Sequence, residues 1–199
     1  MVRKLALALV ALTALGCAHT KNQLKEKERF RAREAAVVKI GDAAVKRLVG
    51  ELKVNLVSSL KEGGFAGAIE FCSTRASQIT AKVNAELSPV KIERLSDKFR
   101  NPENRATGED LALILELKRD RELPKYVIKE KNDAYVYYKP IKVAPFCLNC
   151  HGKPSKMKPE VKKVLAERYP NDRATGYKAG ELRGVFKVVI PKEVLGEES

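Results

Sequence analysis

From about Leu24 to Leu60 the apolar residues Val38, Val45, Leu48, Leu52, Leu56 and Leu60 recur at spacings of three, four and seven, with lysine and glutamate between them. That period puts them on one face of a long helix. Its opening, Lys25 to Glu34, is almost wholly charged and is expected to project into solvent. Gly63-Gly64 should stop it. A second helix is predicted over about 65–86, with Phe65, Ile69, Cys72, Ala76, Ile79 and Val83 sharing a face. Cys72 thus points the way the apolar residues point.

Beyond Pro89 the period changes. Residues 89–95 alternate like a short strand, and Asn101-Pro102-Glu103-Asn104 reads as a turn. Thr107 is placed to cap a helix over 109–119, with Asp110 as the acidic partner of a capping box. Residues 126–129 and 134–138 predict a hairpin about Asn132-Asp133. An extended stretch over 141–143, a short helix over 159–169 and an apolar, β-branched strand over 182–190 complete the pattern. Helices first and sequential strands afterwards argue an α+β fold with an antiparallel sheet. The long first helix can serve a homodimer interface or wrap the sheet.

The N-terminus carries a different signal. Arg3 and Lys4 precede an unbroken apolar run from Leu5 to Leu12, and small residues lead to Cys17. The run is too short to span a bilayer and reads as an export signal over residues 1–16. Ala14-Leu15-Gly16-Cys17 looks like a bacterial lipobox, which makes Cys17 the lipidated first residue of the mature chain. Ala14 departs from the commoner leucine, and ordinary cleavage leaving a spare thiol is the alternative. Residues 17–23 then form a polar tether and residues 24–199 a single domain. Ala18 after the lipid cysteine favours the outer membrane of a two-membrane bacterium, facing the periplasm.

Charge adds little. The formal net charge is +14, or +12 without Arg3 and Lys4. A basic surface suits nucleic acid, anionic lipid or an acidic partner protein. Export argues against nucleic acid, and the lysines are spread along the chain rather than clustered with aromatics.

The chemistry concentrates at Cys147-Leu148-Asn149-Cys150-His151. C-x-x-C-H is the attachment signature of a c-type haem: two thiols at this spacing can form thioethers to one porphyrin, and the adjacent histidine reaches the iron. A structural zinc site would want a second ligand pair, and the chain has only two histidines and four cysteines. A thioredoxin-type dithiol would open a helix after a strand, whereas Pro145 and Phe146 precede this motif and Gly152 and Pro154 follow it. One covalent haem c is the expected cofactor, with Cys147 and Cys150 as thioethers and His151 as proximal ligand.

The sixth ligand is left open by pattern alone. His19 lies in the tether, Met157 lies six residues from His151, and Cys72 is equally a buried core cysteine. Arg94, Arg100 and Arg105 suit haem propionates, or equally hold their loop through backbone carbonyls. Tyr135, Tyr137 and Tyr138 are expected to include both core and surface rings. The chain shows no nucleophile–base arrangement, so no enzymatic reading is favoured.

Four blocks carry a resemblance that narrows this. They are residues 68–73 around Cys72, residues 94–104 from Arg94 to Asn104, the 147–152 motif, and Ala174-Thr175-Gly176-Tyr177 followed by residues 180–184. In this order they resemble a bacterial family of single-haem c-type proteins, the cyanobacterial Tll-type haem domain, formerly a domain of unknown function. The resemblance spans about residues 43–194. It implies a PAS-like sheet flanked by helices and a helix cysteine as second axial ligand, which falls on Cys72 opposite His151. An anionic sulfur ligand stabilises ferric iron and implies a low-potential electron-transfer protein meeting a separate redox partner. The alternative is a haem-based redox or gas sensor.

Overall fold

The structure is a computed structural model; it describes the backbone of residues 2–196 and the side chains of residues 22–196. The export signal over 1–16, Cys17 and His19 lie outside the residues whose side chains are described. The chain divides into two units, Met1–Lys39 and Ile40–Ser199. In the first, residues 22–32 are helical and exposed, whereas Arg33 and Glu34, at the end of the stretch expected to project into solvent, are half-buried. Among the described residues no helix is long and apolar enough to cross a membrane.

Helix α1 (Val2–Thr74) is broken at Gly63 (φ −133°, ψ 18°) and Gly64 (φ 59°, ψ −155°). The positive φ at Gly64 is one that a side chain would strain against, so the glycine pair ends the first helical run where the sequence predicts. The predicted second helix is divided as well. Arg75 (φ −122°) separates the end of α1 from α2 (Ala76–Leu87). Just before it, the Ser73 and Thr74 hydroxyls both donate to the Glu70 carbonyl, competing with the helix's own bonds.

Four strands follow: β1 (Lys91–Leu95), β2 (Val127–Glu130), β3 (Ala134–Lys142) and β4 (Leu182–Pro191). They form one antiparallel sheet in the order β1-β4-β3-β2, with β2 and β3 as the predicted hairpin. Helix α3 (Gly108–Leu117) packs Leu113, Ile114 and Leu117 against Val136, Tyr138 and Val185. The single-turn α4 (Leu148–His151) and α5 (Pro159–Arg168) lie between β3 and β4 in sequence. The chain is therefore α+β, a PAS-like antiparallel sheet flanked by helices behind a long N-terminal helix.

Two expectations are corrected here. All three tyrosines of β3 are buried, not divided between core and surface. Residues 134–138 are buried without alternation, because helices cover both faces of the strand. The Tyr137 hydroxyl donates to Asp42 at 2.6 Å and the Tyr138 hydroxyl to Asp110 at 2.7 Å, so each buried ring keeps a polar partner. Gly41 permits the first contact: a Cβ there would lie 2.5 Å from the Tyr137 ring. The second correction follows from the same bonds. No capping box forms at Thr107, because Asp110 is turned to Tyr138 and to Lys187, whose ammonium donates at 2.8 Å.

Candidate functional site

Every described side chain of the site belongs to the unit Ile40–Ser199. Ala144-Pro145 ends the extended chain after β3, and Pro145–Cys147 forms a 3-10 turn that runs into α4. This places Cys147, Cys150 and His151 on two successive turns. Gly152 closes them by donating its N–H to the Leu148 carbonyl at 3.0 Å. A Cβ at Gly152 would stand 2.5 Å from that same oxygen, so the turn leaves room only for glycine.

His151 is held from behind. Its Nδ1 is 2.8 Å from the Ala174 carbonyl. A carbonyl only accepts, so Nδ1 carries the proton and Nε2 keeps its lone pair for a metal. Burial, with the Arg100 and Arg183 guanidiniums nearby, pushes its pKa down to about 3, while the Ala174 bond works in the other direction. The imidazole is neutral at any physiological pH. Backbone bonds fix the same loop: Tyr177 N–H donates to the His151 carbonyl at 3.0 Å and Gly176 N–H to the Gly152 carbonyl at 2.8 Å.

Arg100 locks this arrangement to the turn over 101–104. It pairs with Asp172 at 2.9 Å and donates to the Cys150 carbonyl at 2.6 Å. The two side chains are only 9% and 10% exposed. Arg100 therefore holds the loop through backbone groups, the second of the two roles expected for it. Arg105 lies over the Phe99 ring, 5.9 Å from its centroid. Arg94 differs from both: its Nε is buried with no hydrogen-bond partner.

Cys72 arrives from the segment of α1 beyond the glycine break. Two cavities, of about 380 and 160 Å³, adjoin it, and Leu56, Cys72 and His151 line both. Leu52 and Leu56, predicted on the apolar face of the first helix, are half-buried because they wall this space. The smaller cavity also takes in Cys147, Cys150, Phe65 and Phe146, the two rings 5.7 Å apart. The larger takes in Arg94 and Arg183. Burial pushes the Cys72 thiol up, and Arg94 and Arg100 pull it back down. All four residues of the predicted haem set thus come together.

Met157 does not join them. The 3-10 turn at Pro154–Lys156 carries it into an apolar cluster with Ile69, Val161 and Leu165. Arg183 was missed as a site residue; β4 carries two cations, Arg183 and Lys187, and nothing in the strand's pattern says which of them faces the cavity. Among the described residues no three His, Cys, Asp or Glu side chains gather as a metal-holding group. A porphyrin iron carries four ring nitrogens of its own and asks the protein only for axial donors. An apolar slot with one neutral nitrogen donor, one sulfur donor and two thiols at its end fits such a group.

Fold and site together define an α+β protein with a paired histidine–cysteine cavity above a C-x-x-C-H turn. A family model described as Tll0287-like (Tll0287) matches residues 10–191, and the chain belongs to that family. Among solved structures it is similar to the crystal structure of the cyanobacterial heme-protein Tll0287, with a TM-score of 0.57 and 23% identity over 81% of this chain and 96% of that one. That likeness concerns the fold. No curated protein matches the chain.

Proposed function

We propose that this chain binds one haem c, joined covalently through Cys147 and Cys150 and held axially by His151 and Cys72. The observation that carries it is the cavity pair, which His151 and Cys72 both line with the two motif cysteines at one end. Family membership supports it, and so does the description of the similar solved structure as a heme-protein. Bound there, the iron would supply one-electron redox chemistry, held at low potential by an anionic sulfur ligand. The protein's own residues do the rest. Ala174 keeps the imidazole in the tautomer that presents Nε2, and Arg94 and Arg100 favour the thiolate of Cys72. Leu52, Leu56 and Phe71 give the slot an apolar wall.

In this reading the protein is no enzyme. It is exported, anchored through lipid on Cys17 at the periplasmic side of the membrane, and exchanges electrons with a separate protein. A haem-based redox or gas sensor is the second reading. One observation favours it: Cys72 is a free thiol at the wall of both cavities, on a short helical segment between the Gly64 break and Arg75, where a change at the metal bond could move it.

A pyridine haemochrome spectrum of protein matured by a cytochrome c assembly system tests the cofactor. The c-type spectrum is expected, and a chain carrying zinc or a haem removable by acid–ketone extraction overturns it. The same preparation should partition with membranes, and Cys17→Ser should release it. Redox titration with and without carbon monoxide then separates the two readings. A ferrous form that refuses the gas favours electron transfer, and rapid binding favours sensing.

A further inference from the structure

The two carboxylates of a haem need partners, and the cavities differ in what they offer. In haem c the thioether edge and the propionate edge lie on opposite sides of the ring. Cys147 and Cys150 line only the smaller cavity, which directs the propionate edge toward the larger one. There the cationic side chains are Lys53, Arg94 and Arg183.

Their commitments separate them. Arg183 already donates to Ser96 Oγ at 2.8 Å and to the Lys98 carbonyl at 3.0 Å. Lys53 is exposed to solvent. Arg94 stands on β1 with its Nε buried and unpartnered. Leaving a guanidinium donor buried without an acceptor is costly, and such a group calls for an anion. Glu103, the nearby carboxylate, is engaged elsewhere: it accepts from Ser77 at 2.6 Å and from Asn101 at 3.1 Å. Burial lowers the Arg94 pKa, with Cys72, Tyr169 and Glu103 acting the other way. Among the described residues the protein therefore offers no acceptor to this buried Nε.

We infer that Arg94 is the anchor of a haem propionate, a carboxylate-binding position in the larger cavity, which the two motif cysteines do not line. The inference rests on the proposed haem c. Planar guanidinium and carboxylate match in bidentate fashion, which fixes the ring's rotation as well as its charge. Neutralising a propionate beside ferric iron also raises the iron's readiness to accept an electron. Arg94 is a positioning residue, acting on the iron through the propionate.

The experiment compares the holoprotein with Arg94→Gln and Arg94→Lys. A c-type haemochrome spectrum in the unsubstituted protein comes first, and its absence removes the haem reading itself. With haem present, Arg94→Gln should lower the midpoint potential and shift the propionate bending band in resonance Raman spectra, and Arg94→Lys should restore much of both. An unaltered band and potential in haem-loaded Arg94→Gln overturns the inference while leaving the haem reading standing. So does a change in the thiolate electron paramagnetic resonance signature with the propionate band unmoved, which would assign Arg94 to Cys72. Should Arg94→Gln fail to accumulate haem, the crystal structure of the unsubstituted holoprotein decides. A propionate within hydrogen-bond distance of Arg94 supports the inference, and both propionates turned away from it overturn it.

Discussion

His151 and Cys72 line the same two cavities, yet they stand in walls of different construction. Behind His151 the polar groups answer one another: Ala174 holds the ring, Tyr177 and Gly176 hold the backbone, and Arg100 ties Cys150 to Asp172. Cys72 is a free thiol, half-buried at the cavity wall. It rides on a short helical segment bounded by the Gly64 break and the kink at Arg75, packed through apolar neighbours such as Ile69 and Phe71. Hydrogen bonds fix direction, whereas apolar packing fixes position and lets a side chain rotate. The histidine wall is thus organised before any ligand arrives. The cysteine wall is tied more loosely, its nearby ion pair from Arg168 to Glu70 being exposed to solvent.

The largest effect should come from breaking the histidine wall at its charged tie. Arg100→Leu leaves Asp172 buried without its cation and the Cys150 carbonyl without its donor. Removing one partner of a buried pair costs about 3–5 kcal/mol. Denaturant unfolding should show that loss, along with a lower yield of haem-loaded protein. A loss below about 1 kcal/mol, the range of exposed pairs, would mean that the wall does not depend on this tie.

A smaller loss is expected where the same wall is tight without charge. Gly152 has φ −72° and ψ −165°, a conformation open to any residue, so the constraint is contact alone. In Gly152→Ala the new methyl meets the Leu148 carbonyl at 2.5 Å. Relief requires the C-x-x-C-H turn to open, at about 2 kcal/mol, within the range of point substitutions that force a backbone shift. Attachment yield should fall with stability. Full stability and full attachment in Gly152→Ala would show that the turn has slack.

What the sequence revealed and what it hid divide along the same lines. The motif at 147–151 is legible because its chemistry depends on spacing along the chain, and β1 is legible because its alternation is local. The three arginines of residues 94–105 look alike in sequence, yet one holds a loop, one stacks on Phe99 and one keeps a buried Nε without an acceptor. Each role is set by neighbours far along the chain: Asp172 is 72 residues from Arg100. The support for His151 was hidden for another reason. Its partner is the backbone carbonyl of Ala174, and a carbonyl leaves no mark on residue type. The β3 tyrosines and the missing capping box at Thr107 share one cause, since Asp42 and Asp110 are drawn to rings that the sequence alone does not bring near them.

The cysteine wall should give the smallest loss of stability and the clearest change in spectrum. Cys72 is half-buried at the cavity wall, so Cys72→Ala removes little packed protein surface and should cost no more than about 1 kcal/mol. Attachment through Cys147 and Cys150 should proceed, because the histidine wall is untouched. The low-spin thiolate signature should vanish in electron paramagnetic resonance, and the ferrous form should bind carbon monoxide faster than before. A stability loss as large as that of Arg100→Leu would make the two walls equivalent in rigidity. An unchanged spectrum would take the sulfur off the iron altogether and leave the site opposite His151 open to another ligand.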